Sequence, residues 1–197
     1  AYEQAGSSMN LFADRHIDLT LGGLVTKPVP ASWFQSANPF YILVFSPLFA
    51  WIWMTLGRRK KEPSTAMKMV IGLFLLGIGF LFMVLGAKDA DQGLKVSWFW
   101  LMAAYMFHTL GELCLSPIGL SYVTKIAPAR FASLMMGVWF LSNAVANKLA
   151  GTIAAMVEKI PTLTQFYTIF VVSSFSAAFL MLLCVPLLKR LTSSVKA

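Results

Sequence analysis

The chain has 197 residues, with 58% hydrophobic and only 12% charged residues and a mean hydropathy of +0.71, against about 25% charged for an average soluble domain. Its formal net charge is +8, but the charges cluster between long apolar runs, which excludes a disordered chain, a nucleic-acid-binding domain and a secreted disulfide scaffold. Trp33 to Leu56, Met69 to Ala87 and Ile160 to Leu188 carry no charge, Val96 to Thr124 carries only Glu112, and Phe131 to Val157 carries only Lys148. A bilayer core needs about 20 apolar residues, so five full-length membrane spans are expected.

In chain order, residues 1–13 are mildly apolar around Gly6-Ser7-Ser8 and end in Asp14-Arg15-His16-Ile17-Asp18. With no initiator Met, leader or cleavage site, they read as the last turns of a sixth helix whose beginning is missing. A loop over about Leu19 to Ser32 is marked by Gly22-Gly23 and Pro28-Val29-Pro30. The second element, about Trp33 to Leu56, contains Asn38-Pro39 and Ser46-Pro47 and stops at Arg58-Arg59-Lys60-Lys61. The third runs from about Ser64 to Gly86, and its glycines at 72, 77, 79 and 86 allow close approach of a neighbouring helix. Lys88 to Gly93 is the next loop. The remaining elements span about Ser97 to Val123, Arg130 to Val157 and Thr162 to Leu188, so the fold class is an all-α polytopic membrane helix bundle. Cys114 and Cys184 both fall inside spans and read as small buried apolar residues.

Sorting the loops onto alternate sides gives the orientation. One side holds Arg58, Arg59, Lys60, Lys61, Lys125, Arg130, Lys189, Arg190 and Lys196; the other mixes Asp14, Arg15, Asp18, Lys27, Lys88, Asp89, Asp91, Lys95, Glu158 and Lys159. The positive-inside rule makes the first side, and with it the C-terminus, cytoplasmic.

Glu112 carries the most information about chemistry. It lies about 22 Å along a helix that starts near Ser97, and an ionisable group at that depth costs at least about 2.5–3.5 kcal/mol, so it marks a functional site by default. His108 and Ser116 flank it at four-residue spacing on one face. A protonated, merely structural Glu112 is the alternative. Glu3 is a second carboxylate in apolar surroundings, either buried or interfacial. Asn38 precedes Pro39, which frees backbone carbonyls, so a helix-bend hydrogen bond competes with a binding role. Trp139, Phe140 and Asn143, with Ser142 and Asn147, suit a pocket for varied side chains, whereas Lys148 can snorkel to water. No zinc spacing and no phosphate loop is present, so no cofactor or metal is expected.

Phe34-Gln35-Ser36-Ala37-Asn38-Pro39, Gly111-Glu112-Leu113-Cys114-Leu115-Ser116-Pro117-Ile118-Gly119-Leu120-Ser121 and Met136-Gly137-Val138-Trp139-Phe140-Leu141 together resemble the proton-dependent oligopeptide transporter family of the major facilitator superfamily. The resemblance covers essentially the whole of 1–197 and matches the C-terminal six-helix half, helices seven to twelve, with the N-terminal six-helix half absent. It implies uptake of di- and tripeptides driven by protons, in the lipid bilayer of the cell membrane. It also implies roles: Glu112 and Asn38 at the peptide amino terminus, Glu3 at a gate paired with the other half, Ser116 on the pocket face, and Trp139, Phe140 and Asn143 in side-chain pockets. The missing half would carry the partner cations, so the fragment alone is not expected to transport. Two other readings stay open: a different facilitator carrier, and a polytopic hydrolase built on His108, Glu112 and Ser116.

Overall fold

The computed structural model describes residues 2–20, 22, 23, 25–126 and 129–194. Among these, six α-helices follow one another: α1 (Ser8–His16), α2 (Ala37–Arg58), α3 (Thr65–Asp91), α4 (Trp98–Ile126), α5 (Ala132–Ala154) and α6 (Leu163–Ser194). Short 3-10 turns at Tyr2–Gln4, Ala31–Ser36, Ala129–Phe131 and Ala155–Lys159 lead into or out of them. No β-strand occurs among the described residues; a single parallel bridge, Ile17 to Val96, ties the end of α1 to the α3–α4 connection. Ala127, Pro128 and Lys196, which the sequence places on the basic side, lie outside the described residues.

The boundaries depart from expectation where polar groups act. Residues 1–13 were expected to be continuous helix. Instead the α-helix begins at Ser8, because the Ser7 hydroxyl bonds to the Glu3 carbonyl at 3.3 Å and to Gln4 Oε1 at 3.4 Å, and such local bonds compete with the helical pattern. Trp33 to Gln35 form a 3-10 turn rather than the start of α2. Pro39 therefore falls in the first turn of α2, where its missing N–H costs nothing. Ser64 caps α3 by accepting from Met67 N at 3.3 Å. Lys88 to Asp91, expected in a loop, continue α3, since a helix end beyond the apolar run leaves charged side chains in water. Asp91 then serves a distant helix, accepting from Leu163 N at 2.8 Å and Thr164 N at 3.0 Å at the start of α6.

The core forms where α3 packs along both α4 and α6. A Cβ on Gly72 would stand 2.8 Å from the Gly111 carbonyl oxygen, and a Cβ on Gly111 would stand 2.8 Å from that of Gly72. The two backbones touch, which only this glycine pair permits. Further along, Phe80 stacks on Phe170 of α6 at 4.9 Å and lies tilted against the His108 ring at 4.4 Å. Two buried tyrosines then hold the irregular N-terminal backbone: Tyr105 donates to the Ala5 carbonyl at 3.0 Å and Tyr167 to that of Ser8 at 3.1 Å.

By contrast, α2 and α5 bury almost nothing. Ala37 is the buried residue of α2 and Ala150 that of α5, while Leu43, Trp51, Leu134 and Leu141 are among their exposed apolar side chains. Cys184 is likewise exposed and only Cys114 buried, which corrects the expectation for Cys184; a membrane helix directs apolar groups outward as readily as inward. Among the described residues three helices are long and apolar enough to cross a membrane, Ala31–Arg58, Thr65–Asp91 and Leu163–Pro186. The helices α4 and α5, expected as spans from their scarcity of charge, have 29 and 23 residues but fall outside that group. His108 and Glu112 on α4, and Asn143, Asn147 and Lys148 on α5, dilute their apolar character. Those are also the helices that carry the site.

Candidate functional site

Four elements converge on Glu112. It lies midway along α4, and α2 brings Asn38 to it, Nδ2 donating to Glu112 Oε2 at 3.1 Å. Beside this pair opens a cavity of about 400 Å³, lined by Glu3 from the first 3-10 turn, Glu112 and Ser116 from α4, and Trp139 and Asn143 from α5. Met69, Leu115 and Leu149 are among its apolar walls. It combines two carboxylates, a hydroxyl and an amide with apolar surface, which suits a ligand having a charged end and a variable body. A larger recess of about 660 Å³ lies between α1 and the end of α5, around Asn10 and Asp14, away from the Glu112–Asn38 pair. Among the described residues no group of His, Cys, Asp and Glu side chains is arranged to hold a metal ion.

Of the seven residues singled out from the sequence, the structure brings six together. Phe140 does not line the cavity and is 59% exposed; successive residues on an α-helix point about 100° apart, so Trp139 and Phe140 cannot face the same space. Trp139 is oriented by packing, because its ring lies across Gly119 of α4, where a Cβ would come within 2.5 Å of it. Asn147 donates to the Asn143 carbonyl at 3.0 Å, and the Ser142 hydroxyl to that of Trp139 at 2.6 Å, so both are satisfied by their own helix. Lys148 is exposed.

His108 does not join the site. It is 1% exposed and lies against Phe80, with both ring nitrogens unpartnered, whereas Ser116 is exposed at the cavity. Four-residue spacing puts two groups near one face, but packing by α3 at one turn and open space two turns later separates them. That removes the convergence a hydrolytic constellation needs.

Two buried polar residues that sequence patterns did not reveal tie elements together, the first of them at the site. Gln4 is fully buried and its Nε2 donates to the Ala150 carbonyl at 3.1 Å, fastening the turn that carries Glu3 to the helix that carries Trp139. Lys68, near the start of α3, is buried, bonds Glu62 at 2.5 Å and lies 4.6 Å over the Trp53 ring. Glu62 six residues upstream of Lys68 was the available signal, but only a tertiary turn brings them together.

An ionisable group on an apolar helix, opening onto a cavity, marks a functional site in a membrane protein. Residues 1–172 match the model of the POT family, and the chain belongs to that family. It is 42% identical over 193 residues to the uncharacterized transporter YclF of Bacillus subtilis, covering 98% of this chain and 38% of that protein. It is 34% identical to dipeptide and tripeptide permease A of Cronobacter turicensis, covering 99% of this chain and 40% of the permease. A crystal structure of a POT peptide transporter in complex with sulfate superposes with a TM-score of 0.84 at 34% identity, over 96% of this chain and 37% of that one. The chain thus spans about two fifths of these relatives' own length.

Proposed function

We propose that residues 1–197 form the C-terminal six-helix half of a proton-coupled di- and tripeptide symporter in the cell membrane, with its C-terminus cytoplasmic. The observation that carries this is the Asn38–Glu112 contact at 3.1 Å beside a cavity that also receives Glu3, Ser116, Trp139 and Asn143. In this reading Glu112 takes the peptide amino terminus as a charge-assisted partner, Asn38 orients the carboxylate, and Trp139 and Asn143 meet the first side chains. Backbone termini are common to all short peptides, so selectivity is broad. Glu3 faces the same cavity and would exchange partners with the N-terminal half as the two halves rock about the midplane. Transport moves solute without making or breaking covalent bonds, so no catalytic residue is assigned.

The test is dipeptide uptake by the complete transporter in liposomes under an imposed proton gradient. Glu112→Gln keeps shape and hydrogen bonding but removes the charge; it should weaken peptide binding by about 1.5–3 kcal/mol, the worth of a charge-assisted bond, and abolish gradient-driven accumulation. Lys148→Gln, exposed at the far end of α5, should leave both unchanged. Normal accumulation by Glu112→Gln would make the carboxylate structural.

A further inference from the structure

The end of α2 presents Arg58, Arg59, Lys60 and Lys61 in succession, all four exposed. The chain turns there through a tight cap: Lys61 N donates to the Leu56 carbonyl at 2.9 Å and Lys60 N to that of Gly57 at 3.0 Å, with Lys60 at φ 54°. That left-handed position ordinarily belongs to glycine, because any Cβ crowds the following carbonyl. A lysine held there keeps a cation in the row at a conformational cost. The adjacent acid does not neutralise the row, since Glu62 bonds the buried Lys68, which in turn covers Trp53. Among the described residues no carboxylate pairs with Arg58, Arg59, Lys60 or Lys61. Trp51, 60% exposed, lies seven residues earlier on α2, about 10 Å deeper along the axis, where an indole rests beneath lipid headgroups. The connection at the opposite end of α3 differs, interleaving Lys88 and Lys95 with Asp89 and Asp91.

We propose that Arg58 to Lys61 bind the phosphate groups of anionic phospholipids at the membrane surface where α2 ends. A soluble acidic partner would not require the row to sit at the mouth of a membrane-crossing helix, above an exposed indole; a lipid headgroup does. The guanidinium groups can clamp phosphate oxygens with two donors each, and the lysines add point charge. Contacts of this kind weaken as salt rises. The inference rests on α2 spanning a bilayer and is independent of which solute is carried.

The purified complete transporter, in micelles doped with equal amounts of phosphatidylglycerol and phosphatidylcholine, should retain phosphatidylglycerol preferentially by native mass spectrometry. Changing Arg58, Arg59 and Lys61 to Gln together with Lys60→Gly should lower that retention at least about tenfold. Lys88→Gln with Lys95→Gln should not. Lys60→Gly alone relieves the backbone while removing one charge, so reduced lipid retention in a protein of equal or higher Tm separates charge from fold. Arg59→Gln leaves three cations to hold the membrane orientation and should show the same direction of loss. Unchanged phosphatidylglycerol retention in both single variants and in the combined one would overturn the proposal. So would displacement of the lipid by millimolar inorganic phosphate, which would make the row a site for free anions, or equal retention of the two lipids.

Discussion

At the residue scale, what distinguishes the polar groups of this chain is whether the fold supplies a partner. Glu112 receives Asn38 from another helix, while His108, four residues away on α4, is buried with neither nitrogen bonded. Asp18 shows the same logic in water. Its carboxylate accepts from the Thr20 hydroxyl at 2.6 Å, Thr20 N at 3.0 Å and Gly22 N at 3.1 Å, and the Thr20 hydroxyl above all holds its pKa below the ordinary carboxylate value. A depressed value means that the ionised form favours the folded loop: this contribution is complete above the ordinary carboxylate pKa and fades as pH falls through the folded one. The Asp18 carboxyl resonance should therefore titrate below about 3.9, and Thr20→Val should move it upward. A midpoint at the ordinary value in the unaltered protein would refute the account.

At the element scale, the start of α6 is held by a residue from α3 in addition to its own Thr162, whose hydroxyl accepts from Gln165 N at 3.2 Å. Asp91 accepts from two of the first N–H groups of α6, the service an N-cap side chain normally performs from its own helix. Asp91→Ala should destabilise by about 0.5–2 kcal/mol, lowering Tm in detergent by a few degrees, and Asp91→Asn should restore part of the loss because an amide oxygen still accepts. An unchanged Tm for Asp91→Ala would show that water replaces the carboxylate without penalty. The weakly packed α5 depends in a similar way on distant groups, Gln4 at its Ala150 carbonyl and Gly119 beneath Trp139. Gly119 explains how an indole reaches the cavity wall at all: its missing side chain is the space the ring occupies.

At the scale of the whole molecule, the exposed apolar faces of α2 and α5 await lipid and, in the proposed transporter, the other six helices. Vesicles containing residues 1–197 alone should show no proton-dependent dipeptide uptake above empty vesicles, and saturable uptake would defeat the half-transporter reading. Orientation is tested in the complete, otherwise cysteine-free protein. A cysteine replacing Arg59 should be shielded from an impermeant thiol reagent added to intact cells, and one replacing the exposed Gln92 should react. The reverse pattern would invert the topology.

Long apolar runs were enough for α2 to α6, because a run of about 20 apolar residues has few other uses, but not for the short α1; Glu112 stood out because a carboxylate at midspan is costly. The Gly-Glu-Leu-x-x-Ser-Pro string, Gly111 to Pro117, likewise carried the family resemblance without coordinates. Only the tertiary structure separated His108 from Ser116 and Phe140 from Trp139, placed Gln4 against Ala150, and joined Lys68 to Glu62. The physical reason is that spacing along a helix reports which side of its own axis a residue occupies. Whether that side meets another helix, a cavity or lipid depends on the close approaches of the other elements, such as the Gly72–Gly111 contact, and these are properties of pairs of segments distant in the chain.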